Sequence, residues 1–190
     1  MQAEDQLPNS LESIKKVRGC LQQRDELYKL KEMIEFDGAS FRKRHTENQT
    51  RVLVAIESKD WVDDKGREKS KAGFVKVSVQ PEKKQNVQEV VDKNIEPGSL
   101  VNTDGGRSVI DIKNVDHVYE VVAGDQKVVD LWLPWVHKFI SNAKTWVNGT
   151  HHGVSSKHLE LYLAEYAYRF NRRHGPEILF HRDLVTCTAT

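Results

Sequence analysis

The stretch from Leu131 to Arg173 constrains this chain more than any other, because its apolar residues follow two helical periods separated by a histidine-rich loop. It holds three of the four tryptophans in the 190-residue chain. Pro134 suits the first turn of the first helix, and Gly149 suits its C-terminal end. Two aspartates far upstream, Asp37 and Asp104, could belong to a chemical site if these helices pack beside them.

Upstream of the two helices, five short segments have the apolar, β-branched composition of strands. Three of them follow one another, as in an antiparallel meander, and two come later: 31–37, 51–58, 72–79, 100–103 and 117–122. Helical spacing is predicted for three more segments: 10–30, 86–94 and 109–113. This order predicts an α/β fold in which a mixed sheet, made of a three-strand meander plus two further strands, is flanked by helices.

Composition narrows the class of protein. The net charge is +1, so overall charge gives no reason to expect binding to nucleic acid, although a local basic patch remains compatible with it. Cys20 and Cys187 lie singly, which excludes a zinc ribbon built on C-x-x-C pairs and a disulfide framework. The chain has no signal peptide and no run of about 18 apolar residues. We therefore expect a cytoplasmic protein that does not enter a membrane.

Two Asp-Gly pairs stand out, since both follow predicted strands. Asp37 precedes Gly38 at the end of the first strand, before a segment, 38–49, that we predict as loop; Asp104 precedes Gly105 after the fourth strand. A single Asp-Gly pair at a strand end is ordinary turn chemistry. Two carboxylates at neighbouring strand ends are also what a Mg²⁺ site needs, because Mg²⁺ prefers hard oxygen ligands and keeps positions open for phosphate and water. Both interpretations stay open at this point.

The helix that begins at Pro134 offers further polar candidates. At about 100° per residue, its core face is formed by Trp132, Val136, Phe139, Ile140, Ala143 and Val147. His137 and Lys144 share one flank of that face, and Asn142 lies on the other flank. Each of these three residues also fits an ordinary position at the edge of a helix.

The last helix ends in a basic cluster. Arg169, Arg172 and Arg173 lie within its final turns. Positive side chains at this place complement the partial negative charge of a helix C-terminus. They are equally suited to contacts with the phosphates of a nucleic acid.

Three blocks of the sequence occur in an informative order: IEFDGASF, NTDGG and ISNAKTWVNGTHHGVSSKHLELYLAEYAYRFNRR. Together they resemble the first-aspartate strand, the second-aspartate turn and the C-terminal signature of bacterial insertion-sequence transposases of the DDE class, in the group related to Merlin elements. The resemblance covers residues 34–181. It implies an RNase H-like fold and metal-dependent cleavage and strand transfer of double-stranded DNA at insertion-sequence ends. It further implies two Mg²⁺ or Mn²⁺ ions, a homodimer and association with the bacterial nucleoid.

The resemblance also assigns residues. Asp37 and Asp104 match the family's two metal-binding aspartates. The third position in that family is a glutamate or an asparagine closely followed by a lysine, and Asn142 with Lys144 fits the second form, which makes Asn142 the expected third metal ligand. The two side chains point about 200° apart on the helix, however, whereas His137 aligns with Lys144 and is the rival for the third catalytic position. Lys144 and the C-terminal arginine cluster would contact DNA phosphates.

The resemblance bears on domain organisation as well. The family's N-terminal zinc ribbon and helix-turn-helix have no counterpart in the sequence. We therefore predict that residues 1–30 are a helical remnant or linker and that residues 31–190 form the RNase H-like catalytic domain, either as a catalytic fragment or as a truncated copy. The family's glycine-rich motif after the first aspartate is replaced by GASFRKRH, and no carboxylate stands at the third position. Two other functions fit the same residues: an inactive DNA-binding or interaction module, or an RNase H-like nuclease.

Overall fold

The secondary structure follows the predicted order. The computed structural model describes residues 10–42, 49–120, 131–151, 153–175 and 177. Its strands are β1 (Met33–Arg42), β2 (Gln49–Val62), β3 (Glu68–Ser78), β4 (Leu100–Thr103) and β5 (Asp116–Tyr119). Its helices are α1 (Ser10–Glu26), α2 (Lys84–Asn94), α3 (Pro134–His151) and α4 (Ser156–Asn171).

One mixed sheet contains these five strands, in the order β3-β2-β1-β4-β5. β1, β2 and β3 pair antiparallel as a meander, whereas β4 pairs parallel with β1 and β5 pairs parallel with β4. β1 is therefore the central strand, with an antiparallel neighbour on one side and a parallel neighbour on the other. This RNase H-like sheet, flanked by helices, confirms the predicted fold class.

Helices cover both faces of the sheet, and β1 divides its side chains between them. Phe36 belongs to the core that contains residues of α2, whereas Ala39 and Phe41 belong to the core formed with α3 and α4. Side chains alternate along a strand, so Glu35 and Asp37 project to the α3 side. The sheet thereby presents two acidic side chains of its central strand to the helix that carries His137 and Lys144.

The predicted apolar face of α3 is confirmed. Its buried residues are Val136, Phe139, Ile140, Ala143 and Val147, and Trp132 packs against the same core. The predicted end at Gly149 is wrong, because α3 continues to His151. The chain turns instead at Gly153, which has φ 88° and donates its N–H to the carbonyl of Val147 at 3.0 Å. That left-handed backbone favours glycine, so Gly153 is the stop signal.

Two predictions about β1 were wrong. The strand continues to Arg42, so residues 38–42 are strand and not loop, because β2 provides backbone partners along this whole length. Asp37 accordingly lies within β1, opposite Val54, and not at its end. Residues 43–48, the rest of the predicted loop, lie outside the described residues.

Other element limits also differ from the prediction. α1 ends at Glu26, before the predicted limit of residue 30, because Leu30 is extended and forms a bridge to Ile95. Residues 109–113 are turn and irregular backbone where a short helix was predicted. β5 ends at Tyr119, and residues 121–122 of the predicted fifth strand lie outside the described part. Among the described residues, no helix is both long and apolar enough to span a bilayer.

Candidate active site

The two predicted aspartates follow the last paired residues of two neighbouring parallel strands. β1 pairs with β4 as far as Glu35, which is opposite Asn102. Asp37 and Asp104 each come two residues after this last pair. Asp104 directly follows β4, as predicted, while β1 runs on.

Asp104 begins a tight turn. Its Oδ1 accepts the N–H of Gly106 at 3.0 Å, and Gly105 has φ 72° and donates its N–H to Thr103 Oγ1 at 3.3 Å. The side chain of Asp104 is exposed. Asp104 thus has the ordinary turn chemistry of an Asp-Gly pair, and its carboxylate is also exposed at the surface.

Asp37 and His137 form the closest polar pair of the site. His137 Nε2 lies 3.3 Å from Asp37 Oδ2, and the two side chains are 21% and 20% exposed. The other carboxylate oxygen of Asp37 accepts the N–H of Gly38 at 2.7 Å, which fixes the rotamer of the carboxylate. The pair is therefore oriented by the backbone yet open to a ligand.

Gly38 lies against Glu82 on the opposite face of β1. A Cβ at this position would meet the carboxylate of Glu82, which would have to shift. Glu82 Oε1 accepts the hydroxyl of Ser108 at 2.7 Å. Glu82 thus connects the strand that carries Asp37 with the loop that follows Asp104, a role that the sequence did not suggest.

A cleft of about 340 Å³ runs beside this pair. Its lining includes Asp37, Ser40, His137, Ser141 and Lys144. A second cleft shares the last two of these residues and continues the surface along β1 and α3, towards Arg42, Thr145 and Asn148. We call this joint groove the α3 groove. Among the described residues that line it, Asp37 is the one acidic residue, and Arg42 and Lys144 are the two cations.

Asn142 lies away from the α3 groove. It is exposed, whereas His137 and Lys144 line the same cleft with Asp37. This placement follows the helix angles, which put Asn142 on the flank opposite Lys144. The structure brings together Asp37, His137 and Lys144, and it leaves Asn142 outside that group.

Glu35 is a residue of this region that sequence reasoning missed. It is 2% exposed, and its Oε2 accepts the N–H groups of Trp135 at 2.7 Å and Val136 at 2.9 Å. Burial raises the pKa of Glu35, and the two hydrogen bonds from α3 oppose that rise. The available signal was the alternation of IEFD, which sets Glu35 and Asp37 on one face of the strand.

Two tryptophans attach the start of α3 to distant strands. Trp132 donates its indole N–H to the carbonyl of Thr103 at 2.8 Å, next to Asp104. Trp135 donates its indole N–H to Ser70 Oγ at 3.0 Å, on β3. The sequence analysis assigned Trp132 to the apolar face of this helix, and the indole N–H groups of both tryptophans also fix α3 on β4 and β3.

The basic cluster at the end of α4 lies against β3, away from the α3 groove. Arg172 Nη1 donates to Asp25 Oδ1 at 2.8 Å, and Arg173 donates to the carbonyls of Ala72, Gly73 and Phe170. Burial lowers the pKa of Arg173. Arg169 is exposed, and its Nη1 lies 3.7 Å from Glu165. Two of the three predicted phosphate contacts are thus already hydrogen-bonded within the protein.

The donor set of the site fits a divalent cation by its chemistry. Asp37 and Asp104 offer carboxylate oxygens, and His137 offers an imidazole nitrogen, on adjoining elements. Within the described ranges, no three His, Cys, Asp or Glu side chains are already arranged around one point that would hold an ion. The Asp104 carboxylate accepts the N–H of Gly106, and the close pair of the three donors is Asp37 with His137.

The sheet topology and the carboxylates beside its central strand define the class of RNase H-like domains. The family model for the ISXO2-like transposase domain matches residues 28–171. The chain therefore belongs to the ISXO2-like transposase domain family and is related to insertion-sequence transposases of the DDE class, as the sequence resemblance predicted. Comparisons with curated proteins and with solved structures found no match.

Proposed function

We propose that this chain is the catalytic domain of a transposase that cleaves DNA and joins DNA strands at the ends of an insertion sequence. The family supports a transposase role, and such families imply DNA binding and generally use divalent metal ions. The observation that carries the proposal for this chain is the Asp37–His137 pair, 3.3 Å apart, in the same cleft as Lys144.

Asp37, Asp104 and His137 would hold the metal ions. A bound Mg²⁺ or Mn²⁺ ion supplies activation of the attacking hydroxyl and stabilisation of the leaving oxygen. We assign the third position to His137 and not to Asn142, because only His137 approaches Asp37. An imidazole nitrogen is a softer donor than a carboxylate oxygen, which favours Mn²⁺ over Mg²⁺.

The remaining residues of the α3 groove would bind the DNA strand through its phosphates. Lys144 lies two helical turns after His137, about 10 Å along the helix axis. Arg42, Thr145 and Asn148 continue the groove beyond it with a cation, a hydroxyl and an amide. Such side chains position a phosphate backbone without reading its sequence. We therefore propose that the strand follows α3 from His137 towards Asn148.

Asp104→Asn is the direct test of the catalytic proposal. We expect strand transfer of element-end DNA with Mn²⁺ to fall by about 100-fold or more, since a neutral amide is a poor ligand for a hard cation. Asp111→Asn is the matched control, because Asp111 is an exposed aspartate in the same connection and pairs with Lys84 at 3.2 Å. Undiminished strand transfer by the Asp104 variant would remove Asp104 from the mechanism.

The products distinguish the proposal from its two rivals. A nuclease would hydrolyse the substrate and yield no joined strands. An inactive binding module would retain the DNA in a mobility-shift assay, with or without metal, and yield no cleavage product. Joined products that depend on Mn²⁺ and on Asp37 are the outcome that supports a transposase.

A further inference from the structure

We propose that Glu35 is a positioning residue, which fixes α3 on β1 so that His137 meets Asp37. The inference rests on the proposed function for its consequence in catalysis, and on hydrogen bonds for its geometry. Glu35 Oε2 accepts two backbone N–H groups from the first turn of α3, at 2.7 and 2.9 Å. The cap of this helix therefore comes from the central strand of the sheet.

The start of α3 is built to receive a carboxylate. The first N–H groups of a helix have no partner within the helix, and Pro134 has no N–H at all. The next two N–H groups belong to Trp135 and Val136, and both donate to Oε2 of Glu35. The partial positive charge of a helix N-terminus favours a negative group at this place.

The cap and the catalytic pair are consecutive contacts between the same two elements. Glu35 and Asp37 are two residues apart on one face of β1, and Trp135 and His137 are two residues apart on α3. The Glu35 contact therefore sets the rotation and the axial position of α3 directly before the Asp37–His137 contact, whose Nε2–Oδ2 distance is 3.3 Å. A small shift of reacting groups is costly in rate, about 100-fold for 1 Å.

A second buried glutamate provides the contrast that the test needs. Glu57 on β2 is also 2% exposed and also accepts two backbone N–H groups, from Lys31 at 3.2 Å and from Phe74 at 3.1 Å. Its carboxylate lies 3.1 Å from Lys59 Nζ. Lys31 precedes β1, Phe74 lies on β3 and Lys59 lies on β2, so Glu57 binds backbone N–H groups as Glu35 does but has no contact with α3 among these partners.

The experiment compares Glu35→Gln with Glu57→Gln, with Glu35→Ala as a stronger change. Single-turnover cleavage of element-end DNA with Mn²⁺ gives the rate, and fluorescence anisotropy gives the Kd for the same DNA. The NMR signals of the His137 ring report its position without any need for activity. None of the three variants changes the indole hydrogen bonds of Trp132 and Trp135, so we expect α3 to stay docked on the sheet.

We expect Glu35→Gln to lower the cleavage rate about 10-fold and Glu35→Ala about 100-fold, because the charge-assisted cap is weakened or lost. The DNA Kd should change less than about 2-fold, and the His137 ring signals should shift. Glu57→Gln should leave the rate and the ring signals as in the wild type, even if it lowers the melting temperature.

The inference is overturned if Glu35→Gln leaves the His137 ring signals unchanged, or if Glu57→Gln shifts them equally. If the wild-type chain cleaves no DNA, the proposed function fails, and the ring signals still decide whether Glu35 positions His137. If Glu35→Ala does not fold, the glutamine variant alone gives the answer, since it preserves the volume of the side chain.

Discussion

Two polar clusters on this protein contain similar side chains and use them differently. In one, which we call the Asp25 cluster, Asp25 accepts hydrogen bonds from Asn171 at 2.9 Å and Arg172 at 2.8 Å, while Lys76 donates to its carbonyl. In the α3 groove, Asp37 and His137 are paired beside Lys144 in an open cleft. The first cluster joins α1, β3 and α4, whereas the second lines a cleft between β1 and α3.

The difference shows why a basic residue near the end of a helix is a poor indicator of DNA binding by itself. Arg172 and Asp25 are 147 residues apart in sequence, and the side chains are 13% and 12% exposed. Removing one member of such a buried pair costs stability, because the other charge is left without compensation. We therefore expect the Asp25 cluster to govern folding and the α3 groove to govern chemistry.

The largest expected effect is on DNA strand transfer, and it distinguishes Asp37 in the α3 groove from Asp25 in the Asp25 cluster. Asp37→Asn should reduce DNA strand transfer about 1,000-fold while the melting temperature stays within a few degrees of the wild type. Asp25→Asn should retain the rate per folded molecule and lose about 3 kcal/mol of unfolding free energy, measured by urea denaturation. Loss of activity from Asp25→Asn without loss of stability would contradict this division.

The next effect, on the cleavage rate, distinguishes His137 from Asn142 as the third metal ligand on α3. His137→Ala should lower the single-turnover cleavage rate about 100-fold, because it removes the side chain that approaches Asp37. Asn142→Ala should keep the rate within about 2-fold, because Asn142 is exposed outside the cleft. The reverse order of the two effects would restore the interpretation in which Asn142 is the third ligand.

A smaller effect concerns DNA affinity. Replacing Lys144 or Arg42 with glutamine should weaken DNA binding about 10-fold at low salt and reduce the slope of log K against log salt concentration by about 1 for each residue. Arg172→Gln should leave that slope unchanged, since its guanidinium is already hydrogen-bonded to Asp25. A slope that changes with Arg172 and not with Lys144 would place the DNA on the other side of the protein.

The smallest effect is a pH dependence of stability in the Asp25 cluster. Burial lowers the pKa of Lys76 to about 8, below its value in the unfolded chain. The unfolded state then binds more protons between about pH 8 and pH 10, so the unfolding free energy should rise with pH in this range. Lys76→Met should abolish the rise, and an equal rise in both proteins would contradict it. Burial raises the pKa of Tyr28, which lowers stability only above about pH 10.

The sequence predicted the features of this protein that depend on periodicity. Alternation of apolar residues was sufficient to predict the strands of the sheet. The 3.6-residue period of α3 was sufficient to predict its core face and the common flank of His137 and Lys144. The end of β1 was predicted wrongly, because GASFR continues as a strand only when β2 is beside it. Strand limits depend on the partner strand, which local composition does not report.

Long-range partners explain the other failures. Glu35 is an acid between apolar residues, and only the position of α3 shows that it accepts two N–H groups from that helix. Arginine is a typical phosphate-binding residue, yet Arg173 donates to carbonyls of β3 and of its own helix. A hydrogen-bond acceptor supplied from a distant segment leaves no local signal in the sequence.

The most direct test of the central claim is a crystal structure of the chain with Mn²⁺, in which anomalous scattering locates the ion. We expect Mn²⁺ to be coordinated by Asp37, Asp104 and His137, with Lys144 along the same groove. Coordination of the ion through Asn142, or a bound ion that leaves Asp37 outside its ligands, would contradict it.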